Sequence, residues 1–160
     1  MKVIGIDPGA TGCIAYYDGS ELLLRDMPHF EIAKNGTKRK RIDVLGVRAA
    51  MVEFCEADHV FIEQVSAQFG NGAASAFTFG WGCGVIEAVV QLSGLPFTYV
   101  SAMKWKKELG VPADKDAARM IASRLLPQGA ENWQRKKDDG RAESALIALW
   151  GYNQALKGTK

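Results

Sequence analysis

Two histidines and three cysteines are all that this 160-residue sequence offers a zinc ion. His29 and His59 stand far apart, Cys13, Cys55 and Cys83 are widely spaced, and no CxxC pair occurs. That pattern argues against a zinc site. Scattered thiols make no disulfide framework and suit a reducing, cytoplasmic setting. A Walker lysine–serine pair is missing, and neither FGNGAAS nor GWGCG fits a dinucleotide fingerprint, so no nucleotide cofactor is expected. No apolar run is expected to reach membrane-spanning length, and Asp7 interrupts what would be the apolar stretch of a secretion signal. Charge of one sign is also lacking overall: the formal net charge is only +2.

What is present is an ordinary globular balance, with 48% apolar and 24% charged residues, enough for one domain over 1–160 with a sizeable core. The basic residues are unevenly placed. Lys34, Lys38, Arg39, Lys40 and Arg41 form one run without an acid. A second stretch runs through Lys104, Lys106 and Lys107 to Lys115, Arg119 and Arg124, and a third is Arg135, Lys136 and Lys137. Any one cluster can be a solvated face. Three in a small chain point to phosphates, whose counterions such clusters displace.

The pattern of apolar residues predicts strands at 2–6, 13–18 and 21–27, the last two joined by a Gly19-Ser20 hairpin. Residues 28–42 read as a polar, basic loop. A helix is predicted over 43–57, capped by Asp43, then a strand at 59–65, a glycine-bearing loop, and a helix at about 76–93. A strand at 96–101, a helix at 114–126 capped by Asp114, a polar loop at 127–137 and a final helix from about 138 complete the chain. A meander followed by strand–helix alternation predicts an α/β fold, a mixed five-stranded sheet with helices on both faces.

The acids fall where these elements end. Asp7 closes the first strand and runs into Pro8, Gly9 and Gly12. Its plain role is to cap that turn. Glu63 sits late in the fourth strand among apolar neighbours, where a lone carboxylate is costly. Asp138, Asp139 and Glu143 open the last helix, with Asp139 and Glu143 on one face. Part of that pattern is ordinary helix-end electrostatics. If the first and fourth strands are neighbours, four of these carboxylates meet in one cleft. Hard oxygen ligands at that density suit magnesium or manganese. Two such ions about 4 Å apart can clamp a phosphodiester.

These segments resemble the RuvC-type Holliday-junction resolvases of the ribonuclease H-like superfamily. GIDPGATG is similar to that family's opening strand and turn, FIEQVSAQFGNGAASAFTFGWGCGVIEAVV to its IEQ strand, loop and helix, and DDGRAESALIALW to its closing acidic helix. YVSAMKWKKELGVPADKDAARMI resembles its lysine-bearing segment. The compact length and the DGRAE form resemble phage members. The resemblance implies a metal-binding quartet of Asp7, Glu63, Asp139 and Glu143; the family's last two acids are usually three apart, whereas here Asp139 stands four and Asp138 five before Glu143, so Asp138 is the alternative and helix geometry favours Asp139. It implies Lys115 beside the scissile phosphate, Lys104 on DNA, and a homodimer that nicks two strands of a four-way junction. It further implies two Mg2+ per site (Mn2+ as a substitute), 5′-phosphate products, and action in a bacterial or phage-infected cytoplasm.

Other residues are read against plainer roles. Gln68 and Phe69, after the Glu63 strand, are candidates for DNA contact, with Phe69 a wedge between bases or a local packing residue. Lys107, Lys38, Arg39, Lys40 and Arg41 are candidate phosphate contacts. Trp105 reads as an interior anchor, Trp81 and Trp150 as core, and both histidines as structural. Gly80, Gly82 and Gly84 read as close packing of a helix on the sheet. The rival functions are a ribonuclease on hybrid or structured RNA, a non-cleaving module for branched DNA, and an actin-like phosphotransferase. The last needs a second domain that 160 residues cannot hold.

Overall fold

The computed structural model describes residues 1–34, 36–66 and 72–158. In chain order the elements are β1 (Val3–Asp7), β2 (Cys13–Tyr17), β3 (Leu22–Asp26), β4 (His29–Lys34), β5 (Thr37–Ile42), α1 (Val44–Glu53), β6 (His59–Gln64), α2 (Ala73–Leu92), β7 (Phe97–Ser101), α3 (Ala102–Leu109), α4 (Lys115–Leu125) and α5 (Asp139–Gly158). Short 3-10 turns at Pro127–Trp133 and Lys136–Asp138 join the last two helices.

Five strands form one mixed sheet in the order β3-β2-β1-β6-β7. β1 pairs antiparallel with β2 and parallel with β6, so the expected adjacency of the Asp7 and Glu63 strands holds. β1 is buried on both faces, as a central strand should be. Val3, Ala15 and Phe61 face one core, shared with α3, α4 and α5. Ile4, Ile6, Ile14 and Ile62 face the other, under α1 and α2. α5 lies directly on β1: a Cβ at Gly5 would stand 2.4 Å from the Ala148 nitrogen, so no larger residue fits there.

Three expectations are corrected, and one helix, α3, was not foreseen. Residues 28–42 form the antiparallel β4–β5 hairpin, turned at Gly36 with φ of 73°. Lys38, Arg39 and Lys40 are exposed, so no apolar alternation marked it as strand. Residues 102–109 form α3, capped by Ser101 and stopped by Gly110 at φ 68°. Most of the expected loop at 127–137 is 3-10 helix, with Trp133 buried. The 20-residue α2 is long and apolar enough, by length and composition alone, to cross a membrane. Here it lays Gly82, Ile86, Val89 and Val90 on the sheet.

The rest of α2 departs from its expected role. Gly82 does pack closely, 3.1 Å from Ile42 where its Cβ would be, but Gly80 and Gly84 face open space. Trp81 is not core: it is 36% exposed and lies beneath the Arg41 guanidinium at 4.4 Å. An all-round apolar helix does not reveal from sequence which face meets its own sheet. Trp105 and Trp150 are buried as expected.

Candidate active site

The two-residue period of a strand sets the site. Val3 and Gly5 face α5, so Asp7 at the end of β1 faces it too. Phe61 faces the same core, so Glu63 follows it. The parallel register runs Val3↔His59 through Ile6↔Ile62, and the next step brings Asp7 alongside Glu63. Both carboxylates thus reach the first turns of α5, where Glu143 stands.

Asp7 does cap its turn, accepting from the Gly9 amide at 3.3 Å. The turn closes through Gly12, whose amide donates to the Gly9 carbonyl at 2.8 Å. A Cβ on Gly12 would fall 2.1 Å from the Asp7 carbonyl oxygen. Glycine is therefore required there by space. The bond from Gly9 does not satisfy the carboxylate. Burial, then the neighbouring charges of Glu143 and Glu63, push Asp7 up from 3.8 to about 7, against the pull of Gly9 and Lys115. Burial also raises Glu63, although Trp105 donates to it.

The other acids each hold a partner from α3 or α4. Trp105 Nε1 donates to Glu63 Oε1 at 3.0 Å, from a fully buried ring. Lys106 Nζ grips Glu143 Oε1 at 2.8 Å. Asp139 takes the Arg119 guanidinium and, at 3.4 Å, Lys115. Asp138 is committed elsewhere: it is 7% exposed and accepts from Arg135 Nε at 2.8 Å, with Arg141 at 4.0 Å. Of the two adjacent aspartates, Asp139 is the one that shares Lys115 with Asp7 and Glu63. Among the described residues no three acid, histidine or cysteine side chains stand close enough to cage an ion as they are. The expected convergence of four acids is therefore partial. Asp7, Glu63 and Glu143 feel one another, and Asp139 turns to α4.

A divalent cation fits this donor set. Its floor is a desolvated carboxylate facing two more, and the nearby positive charge, from Lys115, Lys106 and Arg119, does not relieve it. All the donors are hard oxygens.

Lys115 belongs to the site, within reach of Asp139 and in the field of Asp7 and Glu63. Lys104 lies over the Trp150 ring at 5.4 Å, and Lys106, two residues on, enters the site instead. Lys107 is exposed on the last turn of α3. Arg39 and Lys40 line a cleft with Pro8 and Ala10. Lys38 pairs with Glu31 at 3.1 Å and Arg41 stacks on Trp81. Gln68 and Phe69 lie outside the described residues. Sequence reasoning missed Lys106, Arg119 and the role of Trp105 in holding Glu63. The Ser101 cap and Gly110 stop of α3 were the signals that could have aligned Trp105 and Lys106 on the sheet.

No protein-family profile matches the chain. Its structure matches Thermus thermophilus RuvC in complex with Holliday junction substrate at a TM-score of 0.66 and 20% identity, over 99% of this chain and 97% of that one. The chain has the RuvC fold. A second T. thermophilus RuvC structure gives a TM-score of 0.61 at 22% identity, over 99% and 98% of the two chains. The yeast mitochondrial Holliday junction resolvase Ydc2 gives 0.57 at 17% identity, over 98% and 80%. In sequence, 91 residues are 34% identical to the chloroplastic Holliday junction resolvase MOC1 of Chlamydomonas reinhardtii. That segment is 54% of this chain and 10% of the length of that relative. The expected mixed five-stranded sheet with helices on both faces, of the ribonuclease H-like kind, is thus the RuvC architecture.

Proposed function

We propose that this chain is a metal-dependent, structure-selective endonuclease that resolves four-way DNA junctions by paired nicking. The observation that carries the reading is Asp7, a carboxylate pushed up to about 7 between Glu63 and Glu143 at the tip of two parallel strands. The RuvC fold and the junction resolvases among the similar proteins support it.

Asp7, Glu63, Asp139 and Glu143 would hold the ions, two Mg2+ with Mn2+ as a substitute. When bound, these supply charge at the phosphate and acidity for the attacking water. The chain's own residues do the rest. Trp105 fixes the direction of Glu63. Lys106 and Arg119 hold Glu143 and Asp139 in place. Lys115, 61% exposed beside Asp139, would stabilise charge on the phosphorane. Products would carry 5′-phosphate and 3′-hydroxyl ends. Lys104, Lys107 and the β4–β5 hairpin would hold the arms through phosphates.

A homodimer would bring two such sites to one junction. α2 offers the surface: Phe77 is 72% and Leu92 87% exposed, with Gly80 and Gly84 open between them. An apolar stretch of that kind marks an interface. We place the activity in the cytoplasm of a bacterial cell or of a phage-infected host.

The test is cleavage in magnesium of a labelled four-way junction, a fork, a linear duplex and an RNA–DNA hybrid. Paired, symmetrical nicks at the junction are expected. Equal cutting of forks would broaden the enzyme to branched DNA generally. Cutting of the hybrid alone would make it a ribonuclease, and no cutting of any substrate would leave a binding module.

A further inference from the structure

The turn that carries Asp7 has two sides. On one, Gly140 at the start of α5 presses against Thr11, Gly12 and the Asp7 carboxylate. On the other, Ala10, Thr11 and Gly12 wall a pocket of about 230 Å3 closed by Lys40 of the hairpin and by Arg135, Lys137 and Arg141. Four cations line it against two carboxylates, Asp26 and Asp138.

Those carboxylates are already neutralised inside the wall. Arg141 clasps Asp26 through Nε at 2.6 Å and a terminal nitrogen at 2.5 Å. Arg135 clasps Asp138 at 2.8 and 3.0 Å and also donates its backbone amide to it. Each fork is bidentate, the geometry that holds guanidinium and carboxylate most firmly. Lys40 and Lys137 are left over. Among the described residues neither enters an ion pair, and the cross-strand acid Glu31, opposite Lys40, is taken by Lys38. They come from separate elements, the hairpin and the 3-10 turn before α5, and meet over one backbone turn. Lys40 also lines the adjoining cleft with Arg39, which extends the positive wall along the hairpin.

We propose that this pocket holds a backbone phosphate of the substrate strand next to the one being cut, with Lys40 and Lys137 as the contacts and Arg135 and Arg141 as their rigid frame. This rests on the nuclease reading and deepens it. The strand crosses the acid cleft, passes over the 10–12 turn, and is gripped on the far side. Contact to phosphate positions DNA without reading its sequence, so the grip acts equally on all sequences. The hairpin is fixed for this task at its base, where Arg41 stacks on Trp81 and Ile42 packs against Gly82.

The test uses the full chain and a synthetic four-way junction, with Lys40→Ala, Lys137→Ala, the double variant, and Lys157→Ala on the distant end of α5 as a charge-matched control. Thermal melting confirms that each variant folds. The slope of log binding constant against log salt is expected to fall by about 0.9 for each of Lys40 and Lys137. The control should keep the wild-type slope. At saturating DNA, kcat should be unchanged while KM rises. Wild-type slopes in both variants, with a wild type that binds and cuts the junction, overturn the proposal alone. A fall in kcat without a change in slope overturns it too, by placing these lysines in the chemistry. A wild type that neither binds nor cuts the junction overturns the nuclease reading, and the proposal with it.

Discussion

Gly140 stands against Asp7 with no room for a side chain: a Cβ at 140 would lie 3.1 Å from Asp7 Oδ2 and 2.5 Å from the Thr11 carbonyl oxygen. The first turn of α5 is thereby fixed to the strand end that carries the central carboxylate. Gly140→Ala should overpack this contact at a cost of about 1–3 kcal/mol. Displacing Asp7 by a fraction of its reach should also lower kcat, by up to about 100-fold. Urea unfolding and junction cleavage on the same preparation check both.

Asp7 sets a pH dependence of stability. Its folded pKa, about 7, lies above its ordinary 3.8. Between those values the native state binds more proton than the unfolded state, so stability falls as pH rises through that window and levels off above it. In metal-free buffer Asp7→Asn should therefore be more stable than wild type at pH 8, with the gap shrinking toward pH 4. Added Mg2+ at pH 8 should stabilise the wild type, as any ligand of the native state must. It should do so less in the variant. Urea titrations at pH 5 and 8, with chelator and with Mg2+, read both effects.

Trp105 carries Glu63. Trp105→Phe keeps an aromatic side chain but removes the donor at 3.0 Å and, the indole being fully buried, leaves a void as well. Losing a hydrogen bond to a charged acceptor should cost about 1.5–3 kcal/mol. The effect on cleavage should appear in kcat rather than KM, since DNA contacts elsewhere are untouched. Steady-state kinetics separates the two.

The exposed α2 face predicts its own disruption. Phe77 is 72% exposed, and Phe77→Glu would set a charge into an apolar interface between copies. Hot-spot losses of about 2 kcal/mol or more are expected at such a position. Sedimentation velocity should show a dimer for the wild type and a monomer for the variant. Paired nicks should become single ones.

The strand-end acids were legible because two signals coincide: β1 and β6 are apolar runs, and each breaks into a carboxylate at its tip. The parallel neighbours and the α5 acids followed from element order. α3 was not legible. It is eight residues long and buries only Trp105, too little for a periodic pattern. With it went the pairing of Lys106 with Glu143. The hairpin was hidden for a related reason: of TKRKRI only Ile42 is apolar, so charge masks the strand. Helix spacing to Glu143 favoured Asp139 over Asp138, and the ion pairs then separate the two in space. Their neighbours Arg119 and Arg135 belong to segments whose placement no local pattern sets.

The most direct test of the account separates binding from cutting at Asp7. Wild type and Asp7→Asn would be compared on one labelled four-way junction, by binding in calcium and by cleavage in magnesium. The account predicts a variant that binds the junction as tightly as wild type and leaves it uncut. A variant that cuts at the wild-type rate, or one that folds yet no longer binds the junction, would contradict the role assigned to Asp7.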